Sequence, residues 1–421
     1  MISFKILLRD VLFYTISKLA PGITGLVSVI LFVRILGTEE YGNYSLLLSQ
    51  CYLIAAFGYG WLNQAQLRYY NKDNLLEGYE SDQKRGFILS SIVSFIILTF
   101  FILNQSLSMI TFIISFICIF SIGGFNYLKT LYQSKLSPKK IVSLYLIQSI
   151  LLLIIPLLLL YLFQNKAIIV LIGAALSFLI LPLIYLLNKF KINELFKDLS
   201  HNGKSVISKW IYYGSPLSLW FAAGLALPFL DRYFINQYLS DVELGVYASV
   251  QEILTKMFSL LIFPITMAIH PRIMNYWDSS KKQEAVRLIK WGIIFMSFIA
   301  VLVFTVFWYF DDFIFDGLKK VTPQFKIENK HIIIPLILTG FLWQLSFLTH
   351  KVLELKEKTK IMVLFILFSL LINIFGNNYF VPSYGIIATA FIGLLSAFAY
   401  CLLTTIYSLF AVINSKELSI K

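Results

Sequence analysis

Long apolar runs separated by short polar segments occupy this chain from one end to the other. The runs are continuous over about 20 residues, and no series of short alternating segments replaces them. A helix needs about 20 apolar residues to cross a hydrocarbon core of roughly 30 Å, whereas a transmembrane β-barrel shows short alternating segments. The pattern therefore predicts an all-α, polytopic membrane protein.

Twelve such runs are bounded by charged residues, Pro, Gly or Asn, which predicts about twelve transmembrane helices. Their approximate bounds are residues 12–36, 41–67, 86–103, 107–131, 141–163, 167–187, 210–239, 244–269, 285–310, 332–353, 361–380 and 384–413. The longest connection on the predicted outer side is 311–331.

The charged residues predict how these helices are oriented. The 421 residues carry a formal net charge of +13, yet only 14% of them are charged. Basic residues collect in every second connection, whereas connections 104–106, 164–166, 240–243 and 381–383 hold one lysine among them. Only connection 311–331 breaks the contrast, and its three Asp and one Glu offset its four Lys. Such alternation follows the positive-inside rule, so both termini are expected in the cytoplasm. No soluble basic domain is present that would indicate a nucleic-acid partner.

A short internal repeat suggests how the helices are grouped. Residues 36–44, LGTEEYGNY, align with residues 239–247, LSDVELGVY, at an offset of 203, and the Leu, Glu, Gly and Tyr positions are shared. Each block joins the first and second helix of a six-helix half. We therefore predict halves at 1–190 and 210–421, joined by a cytoplasmic connector at 191–209, with a pseudo-two-fold axis along the membrane normal.

The segment around the first repeat block resembles the start of a known family. Residues 34–45, RILGTEEYGNYS, together with Gly58 and the LRYY of 67–70, are similar to Wzx-type polysaccharide-biosynthesis flippases. The second half adds Gly214-Ser215-Pro216, Asp231-Arg232, the LGVY of 244–247, Pro264 and Pro271. These flippases belong to the multidrug, oligosaccharidyl-lipid and polysaccharide exporter superfamily, whose members are typically two six-helix bundles around a central cavity.

The resemblance implies a function, a substrate and a location. It implies translocation of undecaprenyl-diphosphate-linked oligosaccharide units across the bacterial cytoplasmic (inner) membrane, for O-antigen, capsule or another surface polysaccharide. The implied partners are the lipid-linked oligosaccharide, membrane lipids and other polysaccharide-assembly membrane proteins. The implied mechanism is alternating access of the two halves around a central site.

Charges inside an apolar helix are costly, so each needs a reason. Lys256 lies about 18 Å along the helix from Leu244, near the middle of the bilayer, and Glu252 is one turn earlier on the same face. Lys256 either attracts the substrate diphosphate while Glu252 takes up a proton or cation, or the two residues form an ion pair that only tolerates burial. The two interpretations are compatible.

Asp231 and Arg232 lie about two turns from the outer end of the seventh predicted helix. Adjacent helical residues point about 100° apart, so each side chain needs a partner other than its neighbour. The two side chains either bridge to adjacent helices or line the cavity. Asp231, like Glu252, is a candidate for ion coupling.

Four further cations are candidates for the substrate path. Lys18 lies two turns inside the first helix on a face shared with Gly22, and Arg34 lies near the outer end of the same helix. Arg68 and Arg272 end the second and eighth helices on the predicted cytoplasmic side. The alternative for Lys18 and Arg34 is snorkelling to headgroups, and for Arg68 and Arg272 it is a topology-setting charge.

Motifs of several enzyme classes are missing from the sequence. There is no GxxxxGK[ST], HExxH or GxSxG, and Cys51, Cys118 and Cys401 have no metal-ligand spacing. We therefore expect no enzyme, no cofactor and no bound metal, and three free buried thiols. The alternatives are a cation-coupled small-molecule efflux carrier of the same superfamily and a polysaccharide polymerase or ligase, which would carry a larger outer loop.

Overall fold

The computed structural model describes residues 4–73, 78–105, 108–135, 137–189, 206–279 and 281–413. In these ranges every regular element is helical, which confirms the all-α prediction. The helices are α1 Phe4–Leu36, α2 Thr38–Asp73, α3 Tyr79–Gln105, α4 Met109–Ser134, α5 Pro138–Leu162, α6 Ala167–Lys189, α7 Ile207–Tyr238, α8 Asp241–Asp278, α9 Lys282–Tyr309, α10 Asp311–Val321, α11 Ile333–Thr349, α12 Lys351–Leu355 and α13 Thr359–Ile413, with a 3₁₀ helix at Ile327–Ile332.

The long helices account for the polytopic prediction. Within the described ranges, 10 helical segments are long and apolar enough to cross a membrane. One of them, in α13, has 54 residues and is interrupted at Gly385, where φ is 60° and ψ is −151°. Since about 20 helical residues span 30 Å, α13 is long enough to cross twice. The 10 segments therefore give eleven candidate crossings, in α1 to α7, α9, α11 and the two parts of α13. Helix α8, which is not among the 10, occupies the remaining predicted run at 244–269.

The structure corrects several predicted boundaries. Helix α3 begins at Tyr79 and not at residue 86, and α8 continues to Asp278, beyond the predicted end at 269. Apolar runs locate only the part of a helix that lies in hydrocarbon, whereas the helix continues wherever its backbone stays bonded. The predicted loop 311–331 contains α10, whose Phe315 and Leu318 are buried at helical spacing.

Cα distances divide the chain into two compact units. The first unit consists of Met1–Asn43 with Leu230–Lys421, and the second is Tyr44–Phe229. These units differ from the predicted halves, because α1 falls in the same unit as the C-terminal helices and α7 is divided at Leu230. The origin of the chain from two six-helix repeats stays a prediction.

Within the first unit, the two repeat blocks pack against each other through their glycines. A Cβ atom on Gly42 would lie 2.6 Å from the backbone N of Gly245 and 3.1 Å from the carbonyl O of Asp241. Conversely, a Cβ atom on Gly245 would overlap the carbonyl of Thr38. Thr38 and Asp241 are themselves equivalent at the repeat offset. The contact therefore has the reciprocity that a local two-fold axis produces.

Each block also contains a local helix signal: the first block ends α1, and the second block begins α8. Gly37 has a φ of 79°, a left-handed conformation that suits glycine, and its N–H donates to the carbonyl of Val33 (3.0 Å) at the end of α1. Ser240 and Glu243 form a capping box at the start of α8, with the Glu243 N–H 3.2 Å from the Ser240 hydroxyl. These signals fix the end of α1 and the start of α8, two of the helices that carry the candidate site.

Candidate functional site

Asp231, on the part of α7 that belongs to the first unit, is the centre of a buried polar network. Its side chain is nearly inaccessible, with a relative exposure of 4% for the residue. Oδ1 accepts hydrogen bonds from the Nδ2 atoms of Asn373 (2.9 Å) and Asn377 (3.3 Å), and Oδ2 accepts from Tyr247 Oη (3.0 Å) and Gln251 Nε2 (3.3 Å). A buried carboxylate is costly unless donors surround it, and four donors stabilise its charged form. We call these five residues the Asp231 site.

Arg232 points to different partners, as its position next to Asp231 requires. Its Nη2 donates to Glu252 Oε1 at 3.0 Å, and Lys256 Nζ donates to the other oxygen of Glu252 at 2.8 Å. Lys256 Nζ also donates to the carbonyl of Gly25 on α1 at 3.2 Å. One carboxylate thus holds two cations, and this charged triad of Arg232, Glu252 and Lys256 has one net positive charge when all three are ionised.

Gln251 connects the triad to the Asp231 site. Its Oε1 accepts from Arg232 Nη2 at 3.4 Å, while its Nε2 donates to Asp231 at 3.3 Å. A single amide side chain therefore hydrogen-bonds to both Asp231 and Arg232. When Asp231 is also ionised, the formal charges of the whole network cancel.

Glycines bring neighbouring helices close to both groups. A Cβ atom on Gly25 would lie 3.4 Å from Cε of Lys256, and one on Gly393 would lie 3.6 Å from Oδ2 of Asp231. One turn before Gly25, a Cβ atom on Gly22 would lie 2.6 Å from Leu260 Cδ2. The glycine face of α1 is thus a close packing surface for α8, and it leaves the Lys256 stem in contact with backbone.

The structure describes the side chains of seven of the eight predicted residues, which fall into two groups. Asp231, Arg232, Glu252 and Lys256 meet in the network described above. Three others are exposed near helix ends: Arg34 in the last turn of α1, Arg272 towards the end of α8, and Arg68, whose Cζ lies 6.0 Å from the ring centre of Tyr213 in the second unit. The side chain of Lys18 lies outside the described residues.

Sequence reasoning did not identify Tyr247, Gln251, Asn373 and Asn377. A signal existed for the asparagines, which are four residues apart in an otherwise apolar segment and therefore share one helix face. Tyr247 was recognised only as a position of the repeat. Neutral polar residues give a weaker sequence signal than charged residues, although in hydrocarbon they too need hydrogen-bond partners.

Comparison with known proteins identifies the family. The family model described as "Polysaccharide biosynthesis protein" matches residues 7–277. The chain belongs to this family. The family prediction is thereby confirmed, and a second model, MatE, matches residues 216–380 of this polysaccharide biosynthesis protein. No curated protein sequence matches the chain.

Solved structures identify the fold. An inward-facing multidrug resistance MATE family transporter of the MOP superfamily is similar at a TM-score of 0.65, with 12% identity over 96% of each chain. An outward-facing one has a TM-score of 0.59, with 15% identity over 98% of this chain and 97% of the other. The Vibrio cholerae MATE transporter VcmN has 0.60, with 12% identity over 96% and 99%. This polysaccharide biosynthesis protein thus has the fold of MOP superfamily transporters.

Proposed function

We propose that the protein is a flippase for undecaprenyl-diphosphate-linked oligosaccharides, which it moves from the cytoplasmic to the outer leaflet of the bacterial cytoplasmic membrane. The product would serve assembly of O-antigen, capsule or another surface polysaccharide, in contact with other assembly proteins of that membrane. Membership of the polysaccharide biosynthesis family supports this proposal, and so does the transporter fold.

The observation that carries the proposal is the excess of cations on Glu252. A diphosphate is an anion that needs a cation inside the membrane, where charge interactions are strong. The Arg232 side chain is 8% exposed, whereas that of Lys256 is 31% exposed, so the two cations are not equivalent. Lys256 is the residue we assign to the diphosphate, and Arg232 is the one that keeps Glu252 in place.

Asp231 is the residue we assign to ion coupling. Binding of a proton or a small cation would cancel its negative charge and leave the network with the one net positive charge of the triad. The site would then attract a diphosphate more strongly, and release of the ion would weaken that attraction. Glu252 is less suited to this role because it already neutralises one of two cations.

The remaining predicted cations have a secondary place in the proposal. Lys18, Arg34, Arg68 and Arg272 would guide the anionic substrate at the ends of its path, or set the topology. The exposure of Arg34, Arg68 and Arg272 at helix ends suits either role. Their individual replacement is therefore expected to lower export less than replacement of Lys256.

The test compares two substitutions of Lys256 in a host that lacks its own flippase. Lys256→Met removes the charge but keeps the length of the side chain, and leaves Glu252 paired with Arg232. Export of surface polysaccharide is expected to fall at least tenfold, whereas Lys256→Arg retains export. Lys290→Met, at an exposed lysine of α9, is the matched control. Normal export by Lys256→Met at normal protein level would remove Lys256 from the substrate path.

A second candidate function is cation-coupled efflux of small molecules. The match of residues 216–380 to MatE favours it, because this segment contains both the Asp231 site and the triad. The two functions are distinguished by measuring cationic dye efflux and polysaccharide export in the same strains. Dye efflux that depends on Asp231, with no rescue of export, would favour the carrier.

A further inference from the structure

The second unit contains a lateral cleft, and its described lining residues include none of those assigned to transport above. It has a volume of about 710 Å³ and lies between α3, α4 and α6, next to the end of α2. Ile88, Ile92 and Phe120, which line it, are all exposed, so the cleft is open along one side. Its size is within the range of about 300–1,000 Å³ that is usual for small-ligand sites.

One end of this cleft is polar. Lys84 and Lys135 line it there, together with Glu80 and the hydroxyl-bearing side chains of Tyr70, Tyr79, Tyr127 and Tyr185. The Nζ of Lys135 lies 5.9 Å from the ring centre of Tyr70, so the ammonium is held beside the phenols. Among the described residues that line this end, the two lysines and Glu80 sum to one net positive charge. Loop charges predict that it faces the cytoplasm.

The rest of the cleft is long and mainly apolar; Ser91 also lines it, and its hydroxyl donates to the carbonyl of Phe87 at 2.9 Å. Its lining continues along α3 through Phe87 and Ile92 to Phe95, sixteen residues beyond Tyr79, which is about 24 Å at 1.5 Å per residue. Gly124 of α4 lies in the cleft eleven residues before Lys135, about 16 Å away along the same axis. The apolar part therefore continues past the middle of a hydrocarbon core of roughly 30 Å.

A polar cationic end joined to an apolar channel of acyl-chain length has the shape and polarity of one membrane lipid. We propose that this cleft binds an anionic phospholipid, with its phosphodiester at Lys84 and Lys135 and one acyl chain along α3. Basic pockets between transmembrane helices on the cytoplasmic side are a recurrent site for acidic lipid headgroups. Tyrosine hydroxyls at the same level suit a headgroup that also accepts hydrogen bonds.

Charge separates this lipid from the lipid-linked oligosaccharide. A phosphodiester carries one negative charge, which matches the net charge of the polar end. A diphosphate carries at least two, so it would exceed the net positive charge of the described lining residues by at least one and place that excess beside Glu80. The cleft therefore fits a resident phospholipid, and its occupancy does not depend on the transport function proposed above.

The test is native mass spectrometry of the full chain in detergent, titrated with phosphatidylglycerol, with phosphatidylethanolamine of the same acyl chains, and with glycerol phosphate. We expect one phosphatidylglycerol per chain, with at least tenfold preference over the zwitterionic lipid. Lys84→Gln with Lys135→Gln should weaken binding about tenfold, and the exposed single variant Lys135→Gln less. Lys139→Gln, an exposed lysine outside the cleft lining, should change nothing.

A second variant tests the acyl channel without changing charge. A Cβ atom on Gly124 would meet Pro182 at 3.5 Å, an ordinary contact, so Gly124→Leu is expected to fold while it fills the channel and lowers binding. Equal affinity for both phospholipids, or full binding by Gly124→Leu, would overturn the proposal. So would displacement of phosphatidylglycerol by glycerol phosphate, which would indicate a free-phosphate site, or by undecaprenyl diphosphate at lower concentration, which would assign the cleft to the substrate.

Discussion

Glu252 pairs with two cations, so its removal leaves more charge unpaired than the removal of either cation alone. In Glu252→Gln, Arg232 and Lys256 would face each other across a neutral amide. Breaking a fully buried pair costs about 3–5 kcal/mol, and the 23% exposure of the Glu252 side chain places this variant below that range. We expect a clear drop in the thermal unfolding temperature of the detergent-purified protein.

The matched control for this variant is the surface pair of Arg287 and Glu284. Its atoms are equally close, at 3.0 Å, but its side chains are 52% and 48% exposed. Exposed pairs contribute about 0–1 kcal/mol, so Glu284→Gln should leave the unfolding temperature almost unchanged. Equal temperatures for the two variants would show that the triad is no better shielded from solvent than a surface pair.

Replacement of Asp231 by Asn separates the contribution of its charge to export from its contribution to stability. In Asp231→Asn, the amide oxygen still accepts from Asn373 and Asn377, while Tyr247 and Gln251 each have an acceptor to offer the new N–H group. Unfolding should therefore change by only about 1 kcal/mol, whereas export should fall at least tenfold because no charge remains to be cancelled. Asp316→Asn, at an exposed position of α10, serves as control. Undiminished export by Asp231→Asn would exclude Asp231 from coupling.

At the scale of elements, the contact between the two repeat blocks tolerates no side chain. Gly42→Ala would place a Cβ atom 2.6 Å from the backbone N of Gly245, and Gly245→Ala would overlap the Thr38 carbonyl. Overpacking of this kind typically costs about 1–3 kcal/mol. Both variants are expected to lower the unfolding temperature. Gly317→Ala in α10, where a Cβ atom has no neighbour within 4 Å, should be neutral or slightly stabilising.

The elements show which parts of the fold a sequence can predict. The predicted start of α8, at residue 244, is close to the observed start at Asp241, and the Ser240 and Glu243 capping pair is the sequence signal that would have located it better. Helix α10 was not predicted, because eleven residues with five charged side chains give no apolar run. Membrane-immersed segments are dictated by hydropathy, whereas short interfacial helices depend on what their few apolar residues contact.

The candidate site divides in the same way. Charges in apolar runs identified Asp231, Arg232, Glu252 and Lys256, since each is costly in hydrocarbon wherever it points. The assignment of partners could not be predicted, because it depends on α13 bringing Asn373 next to Asp231, some 140 residues away along the chain. Long-range packing decides such contacts, and local sequence spacing carries no information about them.

For the whole molecule, the proposed direction of transport depends on which side of the membrane each connection faces. The expected orientation rests on the alternation of lysine and arginine between connections. A direct measurement is practical because the three native cysteines are free and at most 5% exposed, Cys51 and Cys118 at 0% and Cys401 at 5%. They are expected to react slowly with a membrane-impermeant maleimide, so single reporter cysteines can be added without removing them.

Two exposed lysines in connections of opposite predicted side provide the reporters. Lys166→Cys lies between α5 and α6 and should be labelled on intact cells, whereas Lys139→Cys, at the start of α5, should be labelled only after the membrane is opened. The same two sites control each other for reagent access and expression. Labelling in the reverse order would place the polar end of the lateral cleft at the outer leaflet and would contradict the proposed guiding of a diphosphate by Arg68 from the cytoplasm. Labelling as expected would agree with the loop charges, which predict that the polar end of the cleft and Arg68 face the cytoplasm.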